Sequence, residues 1–257
     1  MLLQTITTTC AVGIIAATMK LSPFGLGPAS NAPASNPSET IARGKTVFDI
    51  ACSPCHGLDG AGDGPLSANM RTRPRDLTKG VYKSRSTASG QLPTDEDLDR
   101  SIMTGVHFST MPAFRMSPTD CDAVIQYLKT LSPRFSDSTE YPLEVLTFGQ
   151  MILPSTQSIE RGRAVYVKMQ CESCHGAAGK GDGVSAEIQH DDFGSFVHTT
   201  DLTNVSDFKF AQSAQDVYRI FSTGLNGVAM PSYASTLPDT DRWHLANYVW
   251  NLHGIEH

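Results

Sequence analysis

Cys52-Ser53-Pro54-Cys55-His56 and Cys171-Glu172-Ser173-Cys174-His175 are the stretches of this 257-residue chain whose residue types and spacing can do chemistry. Two thiols separated by two residues can bind zinc, exchange disulfides or bond covalently to a porphyrin. An imidazole directly after the second Cys points to the last of these. In that arrangement the thiols attach a haem and the imidazole becomes an axial ligand of its iron. The alternative is a chance Cys/His cluster in an ordinary domain, and a second copy argues against it. Two covalent haem c groups are expected, on Cys52, Cys55 and His56, and on Cys171, Cys174 and His175.

A second axial ligand has to come from elsewhere in each half. Met111 and Met230 are the candidates, each followed by proline and each 55 residues after its histidine (56 to 111, 175 to 230). A thioether is a soft ligand that favours ferrous iron and raises the potential. A lone Met is ordinary core filler; identical spacing inside a repeat marks these two as ligands. Met103, Met116, His107, His190, His198 and His244 have no counterpart at the matching place and read as surface or packing residues.

The elements that must position these groups repeat as well. Arg43-Gly44-Lys45-Thr46-Val47-Phe48 precedes the first motif and Arg161-Gly162-Arg163-Ala164-Val165-Tyr166 the second. Gly and the aromatic four residues later share one helical face. Ser38 and Ser158 are the expected N-caps of these helices. Asp76-Leu77-Thr78 is echoed by Asp201-Leu202-Thr203. Thr94 with Asp97, and Ser213 with Asp216, have capping-box spacing for a further helix in each half. Those helices should end at Gly105 and Gly224 in left-handed caps. The last helices start near Ser117-Pro118 and Pro238-Asp239. Val124, Ile125, Tyr127, Leu128 and Leu131 form the apolar face of one, and Trp243, Leu245, Tyr248, Val249 and Leu252 that of the other. No strand pattern competes, so the fold class is all-α.

Composition sets the setting. Four of the six cysteines belong to the motifs, leaving Cys10 and Cys121 as a poor basis for a disulfide framework. Residues 11–19 are an apolar run too short to span a bilayer, followed by Lys20 and a Pro/Ala/Ser/Asn-rich stretch. The run reads as a signal-peptide core with small residues at 29–32 for cleavage, although no basic residue precedes it. An exported, periplasmic protein is expected. Net charge is −6, with +1 over residues 35–135 and −5 over 157–257. Either these are two solvated surfaces or the halves face different redox partners. No basic stripe with interleaved aromatics supports nucleic-acid binding.

Tyr82, Lys83, Arg85 and the hydroxyls of 84–93 are candidates to hydrogen-bond haem propionates, or form a solvated polar loop. Arg85 in that role would raise the potential of the first haem above the second. Arg71, Arg73 and Arg75 form a further cationic cluster, for propionates, a partner or plain surface.

Together these residues resemble the class I c-type cytochromes in their dihaem form, with two tandem cytochrome c-like domains. The repeat and the composition divide the chain into an export signal and disordered arm over residues 1–37, a first domain over 38–135, a linker over 136–156 marked by Pro142, Gly149 and Pro154, and a second domain over 157–257. The resemblance implies first and last helices crossing at Gly44/Phe48 against Tyr127 and at Gly162/Tyr166 against Tyr248. It also implies that a proline carbonyl orients the haem histidine, a role that Pro65 fits and for which the second half has Val184. The function implied is electron transfer between redox protein partners, without substrate chemistry. The alternatives are a haem subunit or tether of a larger complex-bound or membrane-associated oxidoreductase, and a dihaem enzyme similar to cytochrome c peroxidases or thiosulfate dehydrogenases.

Overall fold

Helix α1 (Pro37–Ala51) runs into the first motif, and α5 (Thr156–Lys168) runs into the second. The motifs themselves form single turns, α2 (Ser53–His56) and α6 (Glu172–His175). Helices α3 (Asp95–Thr104) and α4 (Pro118–Thr130) complete the first half, and α7 (Ala214–Thr223) and α8 (Asp239–Asn251) the second. These elements belong to a computed structural model that describes residues 36–70, 72–106, 109–204, 211 and 213–254. The expected export segment with Cys10, 11–19 and 29–32 lies outside the described residues, as do Arg71 and His107. Among the described residues there is no strand, only the isolated bridges Thr87 to Val145 and His190 to Phe196.

Local chemistry accounts for the boundaries, with two corrections. Asn36, not Ser38, caps α1, its side chain accepting from the Ser38 N–H at 3.2 Å. Ser155, not Ser158, caps α5. Both true caps lie two or three residues upstream because Pro37 and Thr156 already take helical positions. The Thr94/Asp97 pair closes a full capping box on α3, and Ser213 caps α7 through the Asp216 N–H.

In each half the first helix crosses the last where a glycine removes the side chain between them. A Cβ on Gly44 would overlap the Ala123 carbonyl oxygen, and one on Gly162 the His244 carbonyl oxygen. The aromatics four residues on then meet across the crossing. Phe48 and Tyr127 have ring centroids 5.2 Å apart, and Tyr166 and Tyr248 5.3 Å. Such pairs stabilise by about 0.5–1.5 kcal/mol beyond their burial. Each half closes its own apolar core, Phe48 with Leu98, Val124 and Leu128 in one and Tyr166 with Val217, Trp243 and Val249 in the other.

Residues from Asn36 onward form one compact unit. The stretch between α4 and α5 is a strap lying on both halves. Leu146 N–H donates to Ser86 O at 2.7 Å and Ala88 N–H to Glu144 O at 2.9 Å on the first half. On the second, the Phe148 ring lies 5.4 Å from Tyr218, and Ile152 O accepts from Asn247 Nδ2 at 2.9 Å.

Candidate haem sites

Each half has an apolar cavity beside its motif. Cys52, Cys55, His56 and Met111 line the first, a cavity of ≈ 140 Å³ walled by Phe48, Leu98, Ile102 and Val124. Cys171, Cys174, His175 and Met230 line the second, of ≈ 320 Å³, walled by Tyr166, Leu202, Phe221 and Val249. All eight candidate residues from the sequence are therefore brought together in two sets of four.

The histidines are oriented by backbone. His56 Nδ1 lies 3.0 Å from Arg75 O and His175 Nδ1 3.2 Å from Thr200 O. A carbonyl only accepts, so Nδ1 carries the hydrogen in both rings and Nε2 keeps its lone pair for a metal. Burial lowers both imidazole pKa values, which the carbonyl bonds partly offset, and so keeps the rings neutral. Pro65 does not take this role. It is exposed, and the orienting residue is the one before each Asp-Leu-Thr, so the second half has its partner too. The repeat of that tripeptide at 76–78 and 201–203 was the signal for it.

No disulfide joins any of the described cysteines Cys52, Cys55, Cys121, Cys171 and Cys174. Burial pushes the thiols of Cys52 and Cys171, before any haem is attached, up to about 11. Reactive redox pairs depend on the opposite, a lowered thiol pKa. Among the described residues no cluster of three or more His, Cys, Asp or Glu is placed to hold a metal on its own. The alternative zinc reading of the motifs finds no support in this geometry.

The Met loops are matched in detail. Gly105 (φ +77°) and Gly224 (φ +71°) end α3 and α7. Their ψ values, 174° and 179°, put them in the extended glycine region rather than the expected left-handed cap. The chain thereby turns back at once, so that each glycine lies against its Met-Pro backbone. Phe114 N–H then donates to Ile102 O at 3.0 Å, and Tyr233 N–H to Phe221 O at 2.9 Å. Each loop is thus tied to the helix before it, with its Met at the cavity wall.

Other residues fall differently. Met103 is exposed and Met116 packs on the first core. Met70 and Met169 also line the cavities, at positions that do not repeat. His244 is buried, its Nδ1 2.9 Å from Ser158 Oγ. His190 is exposed, while His198, exposed as well, borders the second cavity with its ring 4.6 Å from Phe196. Cys121 is buried in α4, with Sγ 3.1 Å from Asp99 Oδ1.

The polar rim holds one agreement and one correction. Tyr82 Oη is buried, has no hydrogen-bond partner among the described residues, and belongs to a residue lining the first cavity. Arg85, expected beside it, lines neither cavity. Only 1 % exposed, its guanidinium donates to Ala88 O, Thr223 O and Gly224 O, joining the two halves. The expected ordering of haem potentials loses its main support with that residue. Apolar walls, paired thiols, a neutral oriented imidazole, a thioether and an orphaned hydroxyl on the first rim fit a haem in each cavity.

The cytochrome c family model matches residues 41–132, and that of cytochrome c oxidase, cbb3-type, subunit III matches residues 157–249. The chain thus belongs to the c-type cytochromes, with two cytochrome c domains in tandem and a haem c bound by each. It is also similar to a solved chain of the Kuenenia stuttgartiensis reducing HAO-like protein complex. The two share 43% identity over 82% of this chain and 95% of that one, with a TM-score of 0.75. A comparison with curated protein sequences finds no match.

Proposed function

We propose that this chain is a periplasmic dihaem electron-transfer subunit of a larger haem-protein oxidoreductase complex, each iron held by one histidine and one methionine. The observation that carries the complex, over a freely diffusing shuttle, is the 43% identity extending across 95% of a chain from such an assembly. When bound, haem supplies one-electron exchange between ferric and ferrous iron. The residues of the chain hold and tune it. Cys52 with Cys55, and Cys171 with Cys174, anchor it as thioethers. His56 and His175 present Nε2, because Arg75 O and Thr200 O hold the other ring nitrogen. Met111 and Met230 supply the second ligands and favour the ferrous state. Iron with both axial positions filled has no site for substrate, so this reading makes the chain a conductor rather than a catalyst.

Fractionation of the native host tests the assignment. The chain should appear in the periplasmic fraction and co-elute, at fixed stoichiometry, with a second haem-bearing polypeptide through size exclusion and ion exchange. It should be reduced when that complex is given its electron donor. Recovery solely as a monomer under gentle conditions would return the free-carrier reading. Saturable turnover of peroxide or thiosulfate by the isolated chain would instead support the enzyme reading.

A further inference from the structure

Among the described residues, Lys83 alone lines both cavities. It lies on the first half, directly after Tyr82, where that half meets the second. Cations of the first half face acids and carbonyls of the second along this seam. Arg75 Nη2 is 3.3 Å from Asn226 O, Arg75 Nη1 is 3.8 Å from Asp192 Oδ2, and Arg85 holds Thr223 O. Asp191, from the second half, lines the first cavity. The ammonium of Lys83 has no hydrogen-bond or ion-pair partner among the described residues, whereas Arg75 and Arg85 are already engaged.

Even a half-buried ammonium is costly to desolvate without an anion beside it. Burial, with the nearby Arg75 charge, lowers the Lys83 pKa to about 8, and Asp191 offsets this only in part. Each haem carries propionate carboxylates, which are the anions suited to such a position. We propose that Lys83 is a shared positioning residue, its one ammonium pairing with a propionate of each haem and raising both reduction potentials together. This rests on the two-haem reading and adds a link between the sites. A fixed positive charge near both irons disfavours the ferric state of each, and a cation held by two carboxylates ties the two cofactors to one point of the chain.

The test is a redox titration of the haem-loaded full chain, which resolves two one-electron waves. Lys83→Met keeps the stem and removes the charge. It should move both waves to lower potential, each by roughly a tenfold change in its reduction equilibrium, about 59 mV for one electron. Lys83→Arg should leave both waves near wild type. Lys168→Met, which removes an exposed cation, should move neither, since solvent and salt screen it. If Lys83→Met takes up fewer than two haems, Lys83→Gln replaces it in the same measurement. Movement of one wave only would assign Lys83 to a single haem and overturn the shared role, and movement of neither would overturn the pairing itself. Fewer than two covalent haems in the wild-type chain would instead refute the reading beneath it.

Discussion

Arg85 and Thr223 clasp each other from opposite halves of the molecule. The Arg85 guanidinium donates to the Thr223 carbonyl at 2.7 Å, and the Thr223 hydroxyl, which donates to the Arg219 carbonyl of its own helix at 2.9 Å, also lies 3.2 Å from the Arg85 carbonyl oxygen. Thr223 is the last residue of α7, two positions before the loop that leads to Met230. The clasp therefore fixes the seam at the root of a proposed ligand loop.

Removing this guanidinium should destabilise the whole unit. Arg85→Ala leaves the carbonyls of Thr223 and Gly224 buried without that donor, at about 1–3 kcal/mol for each lost partner. Denaturant unfolding should show a loss of roughly 3 kcal/mol, while the haem spectra of the folded protein stay as in wild type. A variant as stable as wild type would mean that the seam is held elsewhere.

Gly162→Ala tests the helix crossing of the second half. The added methyl has to displace the His244 carbonyl of α8, and overpacking of this kind costs about 1–3 kcal/mol. Thermal unfolding should fall accordingly. An unchanged midpoint would show that α5 and α8 can separate without loss.

His244 should make the unit acid-sensitive. Burial first, and the nearby Arg161 charge second, lower its pKa below the ordinary 6.5. Ser158 Oγ accepts from Asn247 Nδ2 at 2.9 Å and is left to donate to a neutral His244 Nδ1. The unfolded chain thus binds the proton more readily than the folded one. Stability is full above the unfolded value and falls as pH drops through and below 6.5. His244→Gln should flatten that slope in unfolding midpoints measured between neutral and acid pH. An unchanged slope would place the acid sensitivity at another group.

The sequence carried the site further than it carried the seam. The twin motifs, the matched Met-Pro spacing and the Gly/aromatic helices are short-range patterns, and a duplicated pattern shows which residues are not accidental. The orienting carbonyls needed more. Arg75 and Thr200 contribute only backbone oxygen, so nothing in their side chains announces the role, and the neighbouring Asp-Leu-Thr echo was the readable trace. Arg85 was misread because an arginine suited to a carboxylate is equally suited to carbonyls at a helix end, and only the tertiary fold decides between them. Lys83 and Asp191 reach their positions across the seam, over a sequence distance that no local pattern encodes.

The near-infrared spectrum of the ferric haem-loaded chain tests the central claim most directly, because a methionine-ligated ferric haem has a weak band there that other ligand pairs lack. Both cavities bring together a histidine and a methionine, so the band should have two-haem intensity. It should fall by half in Met111→Ala, by half in Met230→Ala, and vanish in the double variant, with both haems still covalently attached. A band of full intensity in either single variant would contradict the assignment of that methionine to its iron.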